Sequence, residues 1–475
     1  MLITQIRVLN YKSFHETPQL RLGSGFNIVV GANNAGKTAL LKALSLTFDN
    51  IPHRSLATTS RAGTPLNPLS RVEVSFEIPK AELFRLLADY LNPFYVSHRQ
   101  SFPVIEVAKD FVAALTDPIV LNVDYSPSEG GISAASLPCW GVPETGSSIQ
   151  FYLDRDAAEP RLGTESTTNT DIRGRLPVQL AQVLRDRIYL FDAERMKIGE
   201  APIGIDPRLL PNAANLPSVL QRLQTSNPRG FQRYQRLVSS VFPEIQQITV
   251  PASNVQNVRI LLWSTDPDLE RQDLAMPLAE SGTGTSQVLA ILYVVVTAEY
   301  PRVILIDEPQ SFLHPSAFRK LLEILSHHSE HQYIICTHSP MALTATNPSM
   351  VLLLKKEAAA TVTQEVNPRE ATDLRTVLAE VGARISDVFG ADSILWVEGR
   401  TEEQCFPLIR NAFSGPDSKV TGTVILGVRH TSDFQPRDAK ATLELHQRLT
   451  EGGALLPPVV GSFDTDGRSS RREQI

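Results

Sequence analysis

Cysteine is nearly missing from this 475-residue chain: Cys139, Cys336 and Cys405 are the only three, and no two form a CxxC pair. That scarcity excludes a disulfide framework or a thiolate zinc site and suits a reducing compartment. Long apolar runs are also missing. The longest, roughly Val288 to Ala298, is too short to cross a bilayer. The opening MLITQIRVLNYKSF mixes charges with its hydrophobics and lacks a secretory apolar core. A soluble, cytoplasmic protein without a membrane partner is expected. Charge of one sign is not in excess either, with 51 acidic against 45 basic residues and a formal net charge of −6. This balance neither demands nor excludes nucleic acid, since a local basic stripe is what binds phosphate. The length suffices for two or three domains with a sizeable core.

What is present is an alternation of strands and helices. ITQIRVLNY and RLGSGFNIVVGANN read as strands, TALLKALSLTF as a helix and SRVEVSFEI (70–78) as a half-buried strand. From about 82 to 205 the pattern loosens into proline-, serine- and glycine-rich text, read as an insertion of its own. SQVLAILYVVVTAEY is then a buried helix, RVILIDEP a buried strand, SAFRKLLEIL an amphipathic helix and QYIICTHSP another strand. A second alternation runs from SILWVEG at Ser393 to PVVGSFDTD. Such alternation implies parallel α/β sheets.

GANNAGKT (31–38) matches G-x-x-x-x-G-K-[ST] in full, after a strand and before a helix. In such a loop the backbone of Asn33, Asn34, Ala35 and Gly36 closes around phosphate oxygens. Lys37 reaches the β and γ phosphates of ATP, and Thr38 offers its hydroxyl to Mg2+. In VILIDEP, Asp307 ends a buried strand as a second magnesium-holding residue. Glu308, next to it, is placed to polarise the attacking water. Ser281, Gly282 and Gly284 of ESGTGTSQ stand about 25 residues before Asp307, and His338 of CTHSP about 30 after it. Alone, the first group would read as a helix cap and the second as a turn residue.

The order and spacing resemble the ABC-type ATPases, and within them the SMC/RecF-like group. The resemblance implies that the serine–glycine signature of one subunit caps the γ-phosphate held by another, while His338 senses it. It also implies a homodimer or higher oligomer assembled through ATPase heads. Lys12 and Ser13 of NYKSF match the stretch near nucleotide in that group, and His314 of FLHP matches a turn after the acidic pair. ESGTG departs from LSGGQ, keeping the serine and two glycines, and SRVEVSFEI is not followed by a recognisable glutamine loop.

SILWVEGRTEE repeats the pattern of a carboxylate at a strand end: Glu398 closes the strand and Glu402 lies in the first turn of the next helix. After one helix–strand–helix, Asp464 and Asp466 close another strand. Parallel strands joined by right-handed crossovers bring such ends to one edge. Carboxylates gathered there select magnesium, with Mn2+ an alternative. Glu398 and Glu402 with the D-x-D of Asp464 and Asp466 resemble a Toprim domain. An ABC-type head followed by Toprim is the layout of the OLD (overcoming lysogenization defect) nucleases and of Gabija-type defence relatives.

The resemblance implies an ABC ATPase N-terminal lobe at 1–81, an insertion acting as a dimerisation or sensor arm at 82–205, the head's C-terminal part at 206–385 and a Toprim-like domain at 390–475. RSSRREQI, with Arg468, Arg471 and Arg472, is too short for the helix and strand that normally follow D-x-D. A shortened chain, completion by another subunit and a degenerate domain all remain open. The implied function is an ATP-hydrolysing head fused to a metal-dependent DNA endonuclease acting in bacterial defence. The alternative is an ATPase sensor or scaffold that controls a separate effector protein.

Overall fold

The computed structural model describes residues 1–98, 104–139, 147–154, 161–166, 176–192, 198–204, 208–210, 212–264 and 274–367, and beyond these 393–397, 401, 404–406, 409, 423–427 and 459–462. Two compact units divide the chain, Met1–Val381 and Gly382–Ile475.

The first unit opens with β1 (Leu2–Tyr11) and β2 (Phe14–Glu16), followed by β3 (Phe26–Gly31), α1 (Lys37–Leu44) and β4 (Arg71–Ile78). In β4 the letters alternate as the side chains do: Val72, Val74, Phe76 and Ile78 are buried and the residues between them are not. Strands β5 (Ile119–Ser126) and β6 (Gly131–Ser136) continue this antiparallel sheet in the order β2-β1-β4-β5-β6. β7 (Ile188–Phe191), α2 (Pro228–Val241), α3 (Thr283–Val296), β8 (Val303–Asp307) and α4 (Pro315–Ser326) follow. The unit ends with β9 (Gln332–Cys336), β10 (Met350–Glu357) and β11 (Ala360–Val366).

The second sheet runs β7-β8-β9-β3-β10-β11. Its pairings are parallel from β7 through β10, and only the β10–β11 hairpin is antiparallel. Strands β3, β8 and β9 are buried at every position, which is why they read as continuous apolar runs rather than alternations. Their carboxyl ends meet one edge: Asp307 pairs with Cys336, and Cys336 with Val29 two residues before Gly31. The phosphate-loop strand and the acidic strand are thus separated by β9 alone.

Residues 82–205, expected as a separate insertion, are in part woven into both sheets. β5 pairs with β4 from Val72↔Tyr125 to Ile78↔Ile119, and β7 is the edge strand beside β8. A smaller sheet of Phe94–His98, Ser147–Asp154 and Arg161–Ser166 lies in the same stretch. Turn-rich text between these strands hid them from a periodicity reading. Helix α3 is buried on nearly all sides, and Tyr234 of α2 donates its hydroxyl to the Leu289 carbonyl at 3.0 Å.

In the second unit the described strands are β12 (Ser393–Val397), β13 (Thr423–Gly427) and β14 (Val459–Ser462). They form a parallel sheet in the order β13-β12-β14, with Val397 opposite Ser462.

Candidate nucleotide site

Glycine is required where the phosphate loop begins, because a Cβ on Gly31 would sit 2.5 Å from the Leu354 carbonyl oxygen of β10. At its far end Gly36 holds a left-handed φ of 101° and caps α1, a conformation that favours glycine. Between them Asn33 and Asn34 are exposed and Ala35 is buried, giving an accessible rim on an anchored base. Lys37 is almost fully buried. Its Nζ donates to the Gly31 carbonyl at 2.9 Å and to that of Ala32 at 3.3 Å, and lies 3.3 Å from Glu308 Oε1. The ammonium thus rests within the curve of its own loop.

Thr38 Oγ1 donates to Asp307 Oδ2 at 2.5 Å. Asp307 is 1 % exposed, and its other oxygen, Oδ1, is buried without a hydrogen-bond partner. Burial pushes its carboxyl up to about 6; the Thr38 hydrogen bond opposes the rise and the Glu308 charge adds to it. Glu308 takes a left-handed φ of 48° at the strand end while its N–H still bonds to the Cys336 carbonyl at 2.8 Å. Strained backbone of this kind concentrates at working sites. The twist turns its carboxylate to Lys37 on one side and, at 2.7 Å, to His338 Nδ1 on the other. His338 is exposed at the end of β9.

Of the residues expected from the sequence, Lys37, Thr38, Asp307, Glu308 and His338 are therefore brought into one cluster. Ser13 adjoins it: a Cβ on Gly36 would lie 2.7 Å from its hydroxyl. Lys12 is half-buried with its ammonium over the Tyr11 ring, its pKa lowered by burial and then by Lys42. The signature group contacts a different place. Ser281 Oγ donates to the Leu278 carbonyl at 2.8 Å, and Gly282 caps α3. A Cβ on Gly284 would meet the Phe312 carbonyl oxygen at 2.2 Å. Gly282 and Thr285 line a cleft of about 380 Å³ with Phe312 and His314. His314 itself caps α4 by accepting from the Ser316 N–H at 3.3 Å. Glu398, Glu402, Asp464 and Asp466, with the arginines of the tail, lie outside the described residues.

Three residues escaped the sequence reading. Gln310 donates through Nε2 to Glu308, and its Oε1 accepts from Thr337 Oγ1 at 2.8 Å. Nothing in EPQ distinguishes it beyond standing two residues after Glu308. Asp192 follows β7, whose register with β8 places it beside Asp307, and it pairs with Lys42 of α1 at 3.1 Å. Here a signal existed, because RIYLFD repeats the apolar run and terminal aspartate of RVILID. Thr361, in β11, donates to the Ala35 carbonyl at 2.9 Å. It is far from any motif.

Both ends of the first unit also match known families. A family model described as AAA ATPase domain matches residues 1–127, which contain the phosphate loop. One described as AAA domain, putative AbiEii toxin, Type IV TA system, matches residues 226–344, from α2 to just past His338. The Old nuclease of Escherichia phage P2 is 21% identical over 455 residues, covering 90% of this chain and 72% of that protein. Among solved structures, an SMC head bound to the C-winged helix domain of ScpA has a TM-score of 0.43 at 12% identity, covering 77% of this chain and 98% of that one. The Pyrococcus furiosus Smc head with an extended coiled coil, bound to the C-terminal domain of ScpA, has a TM-score of 0.42 at 12% identity, covering 79% and 99%. Over most of its length the chain is therefore similar to an OLD-type nuclease, and both of its family matches are to AAA-type ATPase domains.

Proposed function

We propose that the chain binds and hydrolyses ATP between paired heads, and that nucleotide state controls a magnesium-dependent, Toprim-like DNA endonuclease serving bacterial anti-phage defence in the cytoplasm. The observation that carries the ATP half is the meeting of Lys37, Thr38, Asp307, Glu308 and His338 at one sheet edge. Their donor chemistry fits magnesium: Thr38 and Asp307 offer hard oxygens, and Asp307 Oδ1 is buried without a partner. These two would hold the ion, which when bound neutralises charge on the β and γ phosphate oxygens. Lys37 then moves from the Gly31 carbonyl to phosphate and releases Glu308. As a water oxygen bonds to the γ-phosphorus and the bridging oxygen leaves with ADP, Glu308 takes the water's proton. His338 keeps that carboxylate aimed.

Two features support the finer parts. Ser281 and Gly282 bond within their own turn, and the start of α3 packs on the loop that follows Glu308. This leaves the signature to meet the phosphate of a second head. In the second unit β12 lies between β13 and β14, so the chain steps from β12 to β13 on one side and then passes back beyond β12 to β14 on the other. The crevice at the carboxyl ends of such a switch point is where α/β sheets take ligands. Glu398 directly follows Val397, and Asp464 comes two residues after Ser462, its paired neighbour. Among the described residues no helix is long and apolar enough to cross a membrane.

The test is ATP hydrolysis and plasmid cleavage by the same protein with magnesium or manganese, beside Lys37→Ala and Asp464→Ala. The proposal expects Lys37→Ala to lose ATP binding, and Asp464→Ala to lose cleavage while keeping ATP binding. Cleavage retained by Asp464→Ala would remove the second site. Hydrolysis without any cleavage would turn the reading toward a sensor that controls a separate effector.

A further inference from the structure

The phosphate loop is gripped at both ends by one hairpin. At its entry Gly31 packs on the Leu354 carbonyl of β10, and at its exit the Ala35 carbonyl accepts the Thr361 hydroxyl of β11 at 2.9 Å. Thr361 is 4 % exposed, and its N–H donates to the Ser13 carbonyl at 2.7 Å. A Cβ on Gly36 would lie 2.9 Å from the Thr361 hydroxyl. Three segments distant in sequence, Ser13, Ala35–Gly36 and Thr361, therefore converge behind the loop.

The orientation of one peptide follows. In a trans peptide the C=O and the next N–H point in opposite directions. Fixing the Ala35 carbonyl outward on Thr361 aims the Gly36 N–H inward, toward the concavity where backbone amides gather phosphate oxygens. We propose that Thr361 is a positioning residue of the nucleotide site, holding the Ala35–Gly36 peptide in its phosphate-binding orientation and tying it to the Lys12–Ser13 stretch. This rests on the ATP reading given above. Thr361 touches no reacting atom, so its effect falls on nucleotide affinity rather than on the chemical step.

The test uses Thr361→Val, which keeps the shape and removes the donor, beside Thr361→Ser, which restores it. A buried carbonyl left unpaired, free to turn its peptide, weakens binding on the order of tenfold. Thr361→Val should raise KM for ATP and the Kd of a fluorescent ATP analogue by about that factor, with kcat little changed. Thr361→Ser should return both toward wild type. An unchanged KM in a folded Thr361→Val protein overturns the proposal, as does a serine variant as impaired as the valine one. Should Thr361→Val fail to fold, Thr361→Ala carries the same test with the same overturning result. Lys37→Ala run alongside separates the two levels. If it binds ATP as wild type does, the ATP reading fails; if it loses ATP while Thr361→Val keeps it, only the role of Thr361 fails.

Discussion

Thr38 and Asp307 stand 269 residues apart in the chain and are joined by a 2.5 Å hydrogen bond. The bond exists because β3 and β8 flank β9 in register, so that the start of α1 faces the end of β8. It holds together the two oxygen donors that the proposed function assigns to magnesium.

That pair makes a pH prediction for the nucleotide-free protein. The folded pKa of Asp307, about 6, lies above its ordinary 3.8, chiefly because burial disfavours the charge. The native state therefore binds this proton more tightly than the unfolded state. Stability from this group is present at low pH and is lost as pH rises through about 6. Asp307→Asn should melt higher than wild type at pH 8, with the difference shrinking toward pH 4, while ATP hydrolysis is abolished at every pH. Thermal melts across that range decide it. An asparagine variant less stable than wild type at pH 8 would show that the carboxylate is held by partners stronger than its desolvation.

Glu308 links Lys37 and His338 through its two oxygens. Glu308→Gln keeps the size and loses the proton acceptor. Hydrolysis should fall by about 10² or more, while ATP remains bound and, if heads pair, the dimer persists with ATP rather than dissociating. Single-turnover kinetics with size measurement in solution would show both. Loss of binding with loss of turnover would mean that Glu308 organises the loop rather than the water.

Gly284 is where the signature helix meets the loop after Glu308. Because a Cβ there would come within 2.2 Å of a backbone oxygen, that of Phe312, no side-chain rotation relieves it. Gly284→Ala should separate α3 from that loop and cost about 1–3 kcal/mol, as overpacking does. Gly282→Ala is the contrast, since nothing lies within 4 Å of its Cβ position; it should melt like wild type. Any loss of ATP turnover in Gly282→Ala would then be read as a contact made outside the chain.

Much of this site was legible because its chemistry is local. GANNAGKT carries a strand end, a loop and a helix start, and VILIDEP a strand and the turn at its end, each with its functional letters in a run of eight residues or fewer. The signature and His338 were legible only through their order. Thr361 and Gln310 left no trace, because each acts through a hydrogen bond formed by tertiary register rather than by its neighbours in sequence. The fold divides in the same way. β3 and β8 announced themselves as buried runs, whereas β5 and β6 lay in turn-rich text and are strands because β4 offered an edge to β5 and β5 in turn to β6.

Gln310 supplies the last prediction, because its amide reaches both Glu308 and His338. Its amide nitrogen donates to Glu308 and lies 3.3 Å from His338 Nδ1, while its oxygen accepts from Thr337. Thr337 in turn accepts from the Ser339 N–H at 2.8 Å, which fixes the turn that carries His338. Gln310→Ala removes one support of the carboxylate and one of the histidine at once. His338→Ala removes the second support of the carboxylate directly. If the three side chains act as one unit, each single variant should lower kcat by roughly tenfold with KM for ATP held, and the double variant should lose little more than either. The difference between the double loss and the sum of the single losses is then the coupling energy. Fully additive losses would mean that His338 serves the phosphate independently of Glu308, and that the 2.7 Å contact between them is not used in turnover.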